Sequence, residues 1–208
     1  MKNQSENKVY TLAEVLGKHT IAELKQMTQV LEVKVLSKAK KQEIIDALSA
    51  KLLDKELLIA WLLAAGKQEI EELELAMAED VVIAEESGRF YYWRNLPVVF
   101  VTGDGVVVVP SETAAVYNEI KSDSEYAQKR SRINVFDEYL MACVNLYRAI
   151  DITTFLSIVN GQTGLNAKRP ELESWLKDRE AVRGQQMYFF GRLYLKRRVS
   201  HKEGRRGC

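Results

Sequence analysis

The stretch TIAELKQMTQVLEVKVLSKAKKQEIIDAL, residues 20–48, decides how the chain is read, because it spells two helices and the turn between them. Thr20 followed three residues later by Glu23 is the N-cap and N3 pattern of a capping box, in which hydroxyl and carboxylate each accept from the other's backbone amide. A helix is therefore expected from Ile21, with Leu24, Met27 and Leu31 at helical spacing on its inner face and Lys25 and Gln29 outside. A second helix is expected after Ser37, whose hydroxyl can cap it, with Ile44, Ile45 and Leu48 inward. Val33 to Leu36 links the two, and Thr11-Leu-Ala-Glu-Val-Leu before them offers another short amphipathic turn.

Leu24-Lys25, Thr28, Leu31, Val33, Leu36-Ser37-Lys38, Lys40-Lys41, Glu43-Ile44-Ile45 and Leu48 together resemble the helix, extended loop, helix pattern of the SAP-like family of Rho termination factor N-terminal domains. The resemblance covers residues 20–48 and implies a nucleic-acid-binding module. Family members usually carry Gly before the loop; this chain has Glu32, so the reversal there takes another form or holds a strained residue. A helix N-terminus presents unpaired N–H groups and a partial positive charge, and here Ser37, Lys38, Lys40 and Lys41 surround it. A phosphate is expected at that point, held as backbone and without sequence readout. The competing reading is a protein-interaction adaptor whose lysines are simply solvated.

Outward from this module, Asp54 to Ala65 reads as a nearly all-apolar helix closed by Gly66, and Lys67 to Met77 as a second helix carrying a row of glutamates. The two form a hairpin expected to bury the first module's apolar face. Glu69, Glu71, Glu72 and Glu74 have no His, Asn or Gly-rich partners at metal-binding spacing, so a solvated face is the reading. Arg89-Phe-Tyr-Tyr-Trp, Pro97-Val-Val-Phe-Val and Val106 to Val109 read as short strands of a small sheet, with Thr102-Gly-Asp-Gly as the turn between the last two. Tyr91, Tyr92 and Trp93 beside Arg89 and Arg94 could stack bases, although aromatic residues in strands usually pack. Ser111-Glu-Thr starts a helix to Ile120, and the polar run Lys121 to Arg132 reads as a linker.

Ile133 to Ile150 is a long helix pattern with Phe136, Leu140, Cys143, Val144 and Tyr147 inward. Asp151 can cap a second helix, broken at Asn160-Gly161, and Glu171 to Glu180 makes a third with Leu172, Trp175 and Leu176 inward. Met187-Tyr-Phe-Phe and Leu193-Tyr-Leu flank Gly191-Arg192 as a hairpin. Three helices and a hairpin over residues 133–199 resemble a winged helix-turn-helix in arrangement. That resemblance implies nucleic-acid contacts on the third helix and hairpin, and the cations there include Lys168, Arg169, Lys177, Arg179, Arg183, Arg192, Lys196, Arg197 and Arg198. Glu171, Glu173, Asp178 and Glu180 would repel phosphate from part of the helix, which makes Arg183 and the hairpin residues Arg192, Lys196, Arg197 and Arg198 the preferred contacts.

The whole chain is thus expected to be mainly α with small β hairpins, an α+β organisation in three segments: 1–53, 54–131 and 132–208. Net charge is +1, but it is unevenly spread. Residues 1–53 hold nine Lys against six acids, residues 54–87 two Lys against ten acids, and residues 168–208 twelve Lys or Arg against five acids. Clustered positive charge is what a polyanion binder needs. Two cysteines, Cys143 and Cys208, make neither a disulfide framework nor a metal set, the N-terminus lacks the apolar run of a signal peptide, and a soluble cytoplasmic protein without cofactor or membrane is expected. Two histidines, His19 and His201, with no His-Glu-x-x-His and no Gly-x-Ser-x-Gly, argue against an enzyme; a nuclease built on carboxylates alone stays open. The function expected is a non-catalytic regulator that binds DNA or RNA. The alternative is an interaction protein of phage or mobile-element type that blocks a partner's nucleic-acid channel.

Overall fold

The computed structural model describes residues 9–84, 88–183 and 194–196, with Arg183 and residues 194–196 described by backbone alone. It is mainly helical, with a small antiparallel sheet, and divides into two compact units, residues 1–130 and 131–208.

In the first unit two capping boxes open the chain. Thr11 and Glu14 start α1, Leu12–Gly17, and Thr20 and Glu23 start α2, Ile21–Val30, each with the reciprocal amide bonds in place. Leu31 closes α2, and Glu32 turns the backbone at φ 53°, the left-handed region that the missing glycine would have entered without strain. The Val33 N–H then returns to the Thr28 carbonyl at 2.8 Å. The next helix, α3, runs Lys41–Leu52 with Lys40 at its cap position. Ser37, expected as the cap, instead lies in a turn closed by the Ala39 N–H on the Leu36 carbonyl, 3.0 Å away. The physical reason is Glu43: its carboxylate takes the Lys40 N–H at 2.8 Å, so a side chain from inside the helix does the capping. Leu12, Leu16, Leu24, Thr28, Ile44 and Leu48 are buried where α3 packs on α1 and α2.

Helices α4, Lys55–Ala64, and α5, Lys67–Ala78, form the expected hairpin around Gly66. Asp54 caps α4 by accepting from the amides of Glu56 and Leu57. The hairpin does more than cover the first module, since α4 also packs on the later helix α7, Ser111–Ser122. Between them come β1, Val81–Val82, then α6, Tyr91–Asn95, then β2, Phe100–Val101, and β3, Val106–Val108. The sheet is antiparallel in the order β1-β3-β2, with Val81 opposite Val107 and Phe100 opposite Val108. Gly105, at φ 82°, has to be glycine: a Cβ there would stand 2.7 Å from the Ile83 carbonyl oxygen.

The expected strand at Arg89 to Trp93 is a helix. Phe90 enters α6 in the left-handed region, Trp93 is fully buried with its indole N–H on the Glu69 carbonyl, and the Tyr92 hydroxyl donates to the Trp61 carbonyl. Those tertiary bonds to α4 and α5 outweigh the local β preference of the aromatics. The expected linker is also helical. Lys121 and Ser122 finish α7, and α8 runs from Ser124 to Tyr147 with Asp123 accepting from its first amides. Buried Arg130 donates to the carbonyls of Leu62 and Ala65 at the end of α4, at 2.9 and 2.6 Å.

In the second unit α8 continues from Ser131, and Ile133, Phe136, Leu140 and Cys143 are buried. It stops at Tyr147, short of the expected Ile150, because Arg148 turns left-handed and Ala149–Asp151 becomes β4. Asp151 caps α9, Ile152–Thr163, as expected. Asn160-Gly161 does not break this helix; Gly164 does, at φ 66°, while the Asn160 side chain bridges to the amide and carbonyl of Ala167. The third helix, α10, spans Arg169–Arg183 and buries Leu172, Trp175 and Leu176. Strand β5, Tyr194–Lys196, pairs antiparallel with β4, Ala149 facing Lys196. The expected hairpin around Gly191-Arg192 lies outside the described residues, apart from β5.

Candidate nucleic-acid interface

The loop from Val33 to Lys40 leaves α2 through the left-handed Glu32 and enters α3 through Glu43. Its path is also fixed from the side, since Lys25 Nζ donates to the Ser37 carbonyl at 3.1 Å. Residues 33–41 contain Lys34, Lys38, Lys40 and Lys41 and no acid. Lys34, Lys38 and Lys40 are exposed and have no ion-pair partner among the described residues. Unpaired lysines on a fixed loop present positive charge without the entropy loss of ordering the backbone on binding.

The expected site residues do not all behave alike. Ser37 and Lys38 sit in the turn before α3, and Lys40 stands at its cap. Lys41 faces elsewhere: its Nζ donates to the Gly17 carbonyl at 2.6 Å and is committed to the end of α1. The helix N-terminus expected to take a phosphate already holds the Glu43 carboxylate on the Lys40 amide. Lys34 was not among the expected site residues. Its signal was available in the acid-free run from residue 33 to 41, which reading by helix caps passes over.

In the second unit the arginines of the third helix are largely neutralised at home. Arg169 pairs with Glu173 one turn on, Arg179 bonds Asp137 of α8, and Arg132 holds Glu171 through two parallel bonds of 2.6 and 2.8 Å. The Arg132 guanidinium keeps the Glu171 carboxyl below its ordinary range, and Glu171 in return raises Arg132. Lys168 and Lys177 are exposed with no ion-pair partner among the described residues. Of the preferred C-terminal contacts, Arg183 ends α10 and Lys196 ends β5, both described by backbone only. Arg192, Arg197 and Arg198 lie outside the described residues.

Among the described residues no three His, Cys, Asp or Glu side chains gather at a spacing that would hold a metal ion, and no helix is long and apolar enough to cross a membrane. The aromatic group at α6 splits, with Trp93 in the core edge-on to Tyr92 and Tyr91 69 % exposed, so the three rings do not line up as one exposed stacking row. Comparison of the chain with protein-family models, with curated proteins and with solved structures finds no match in any of the three.

Proposed function

We propose that the chain is a non-catalytic regulator that binds DNA or RNA, and that residues 20–48 are its SAP-like, Rho N-terminal-like gripping module. The observation that carries this reading is the set of exposed, unpaired lysines 34, 38 and 40 on a loop fixed at both ends and from Lys25. Contacts of this kind hold phosphates and position a strand without reading its bases. A second grip is assigned to Arg183, Arg192 and Lys196 to Arg198. The pairing of β4, between the unit's first two helices, with β5 after the third favours a winged-helix arrangement for that grip.

The test is a binding titration against single- and double-stranded DNA and RNA at about 50 and about 200 mM salt. Wild type should lose affinity steeply with salt. Replacing Lys34, Lys38 and Lys40 by Glu should lower the log–log salt slope by about 2–3, near 0.7–0.9 per phosphate contact. Unchanged affinity in that variant would remove the loop from the function. Lys41 is left intact because its role is internal. The second reading, an interaction protein that occupies a partner's nucleic-acid channel, draws on the exposure of Val30 and Leu36 beside the same lysines, 68 % and 79 %. A stoichiometric protein partner with no shift of any nucleic acid would favour it.

A further inference from the structure

Helix α8 carries a second apolar stripe that the core of its own unit does not use. Its core side is Ile133, Phe136, Leu140 and Cys143, all buried. On a different side, Val135, Tyr139, Ala142 and Leu146 follow one another at steps of four, three and four residues. That is the spacing of a heptad seam, by which one helix packs along another. Val135 and Tyr139 are half-buried, Ala142 is exposed, and Leu146 and the flanking Met141 are 75 % and 53 % exposed. From Tyr139 to Tyr147 the helix holds no charged residue, in a chain in which 28 % of residues are charged. A solvated helix face ordinarily carries charges. Glu138 and Arg148 bound this charge-free run, both are exposed, and neither has an ion-pair partner among the described residues.

We infer that this face of α8 is where a second copy of the chain docks, the two helices running antiparallel about a two-fold axis. The inference is independent of the nucleic-acid reading above. An apolar stripe on a two-fold axis meets itself, so it needs no complementary patch elsewhere on the molecule. The charges at its ends choose the direction. Antiparallel packing brings Glu138 of each copy toward Arg148 of the other, whereas parallel packing sets Glu138 beside Glu138 and Arg148 beside Arg148. With Ala142 at the crossing point, position 138 is level with position 146 of the other helix. Arg148 starts two residues further along, about 3 Å, within the reach of an arginine side chain. Ala142 is also the smallest residue of the stripe, so the helices can approach closely there, with Tyr139 and Leu146 about one turn to either side. The apolar patch is on the order of 300–400 Å² per copy, and with its polar rim the contact buries roughly 1,000 Å² in all. That is the lower end of specific interfaces and makes a reversible dimer, with a dissociation constant on the order of 10–100 μM. Another protein would need an apolar stripe with its two charges in reverse order; a second copy turned about the two-fold has both by construction.

The experiment is sedimentation equilibrium on the full chain from about 2 to about 300 μM, a range that spans the expected constant. Wild type should pass from monomer to dimer. Leu146→Lys should weaken the dimer at least about tenfold, since it removes the most exposed apolar anchor and sets two cations in the seam. Glu138→Arg and Arg148→Glu should each weaken it about fivefold, because the two-fold repeats each change. The double variant restores opposite charges with the ends exchanged and should recover most of that loss. These positions are exposed, so every variant should keep the wild-type unfolding midpoint, which circular dichroism checks. Met141→Lys, on the exposed side of the same helix, repeats the test should Leu146→Lys unfold early. Wild type that stays monomeric up to about 300 μM, or a lysine variant that keeps its fold and dimerises like wild type, overturns the inference. Charge variants that leave the dimer unchanged, or a double variant that recovers nothing, overturn the antiparallel pairing.

Discussion

Lys41 Nζ and the Gly17 carbonyl are joined by a hydrogen bond of 2.6 Å that ties the first turn of α3 to the last turn of α1. A cation at its own helix's N-terminus is badly placed against the helix dipole, and one at another helix's C-terminus is well placed. By reaching across, Lys41 exchanges the first situation for the second, and α1 has no basic residue of its own in its last turn.

Lys41→Met should therefore destabilise the first unit by about 1–2 kcal/mol, the scale of a hydrogen bond to a charged group. Lys38→Met, at an exposed turn residue, should stay within about 0.5 kcal/mol. Urea denaturation read against both variants checks the contrast, and equal effects would show that the bond to Gly17 contributes nothing.

Glu32 predicts a gain. Its φ of 53° costs a residue with a Cβ about 1–2 kcal/mol, part of which glycine returns through its greater freedom in the unfolded chain. Glu32→Gly should raise stability by about 0.5–1 kcal/mol, whereas Glu32→Val should lower it. A Gly variant no more stable than the parent would mean that the turn relaxes without strain.

The Arg130 side chain is buried and satisfies two carbonyls at the end of α4. Arg130→Met keeps much of the apolar stem but leaves those carbonyls short of donors, and should cost about 2–3 kcal/mol. Thermal unfolding followed by tryptophan fluorescence reads this directly, since Trp61 precedes Leu62 in α4.

The pair of Arg132 and Glu171 sets a pH dependence in the second unit. The folded carboxyl is depressed by its bonds to Arg132, so its contribution is fully present above the ordinary glutamate range and is lost as pH falls through the lower folded value. Both side chains are about a third exposed, 36 % and 35 %, so solvent screening limits the effect to about 0.5–1 kcal/mol. Glu171→Gln should be less stable than wild type by that amount near neutral pH, and the gap should close in acid. A gap that persists at about pH 2–3, below the ordinary carboxyl range, would assign the effect to packing.

The elements legible in the sequence were those whose signals are local. Thr20 with Glu23, Asp54 and Asp151 each mark a helix start that the side chain itself makes, and all three formed there. Lys121 to Arg132 was not legible, because Tyr126, Arg130 and Ile133 are buried at helical spacing and one of them is an arginine, which polarity alone assigns to solvent. Nor was α6, where Trp93 and Tyr92 are held by carbonyls of Glu69 and Trp61, far away in the chain. In the lysine loop the sequence supplied the charge but not its division, since only the fold shows Lys41 turned to Gly17 while Lys34, Lys38 and Lys40 stay outside.

The carboxylate of Glu43 on the Lys40 amide gives the α3 entrance a resident anion. An incoming phosphate there must evict it, and the affinity gained is a difference between two negative guests. Were the chain to grip nucleic acid as proposed, the lysine side chains would carry the hold, and the Glu43 carboxylate would compete with phosphate for the Lys40 amide.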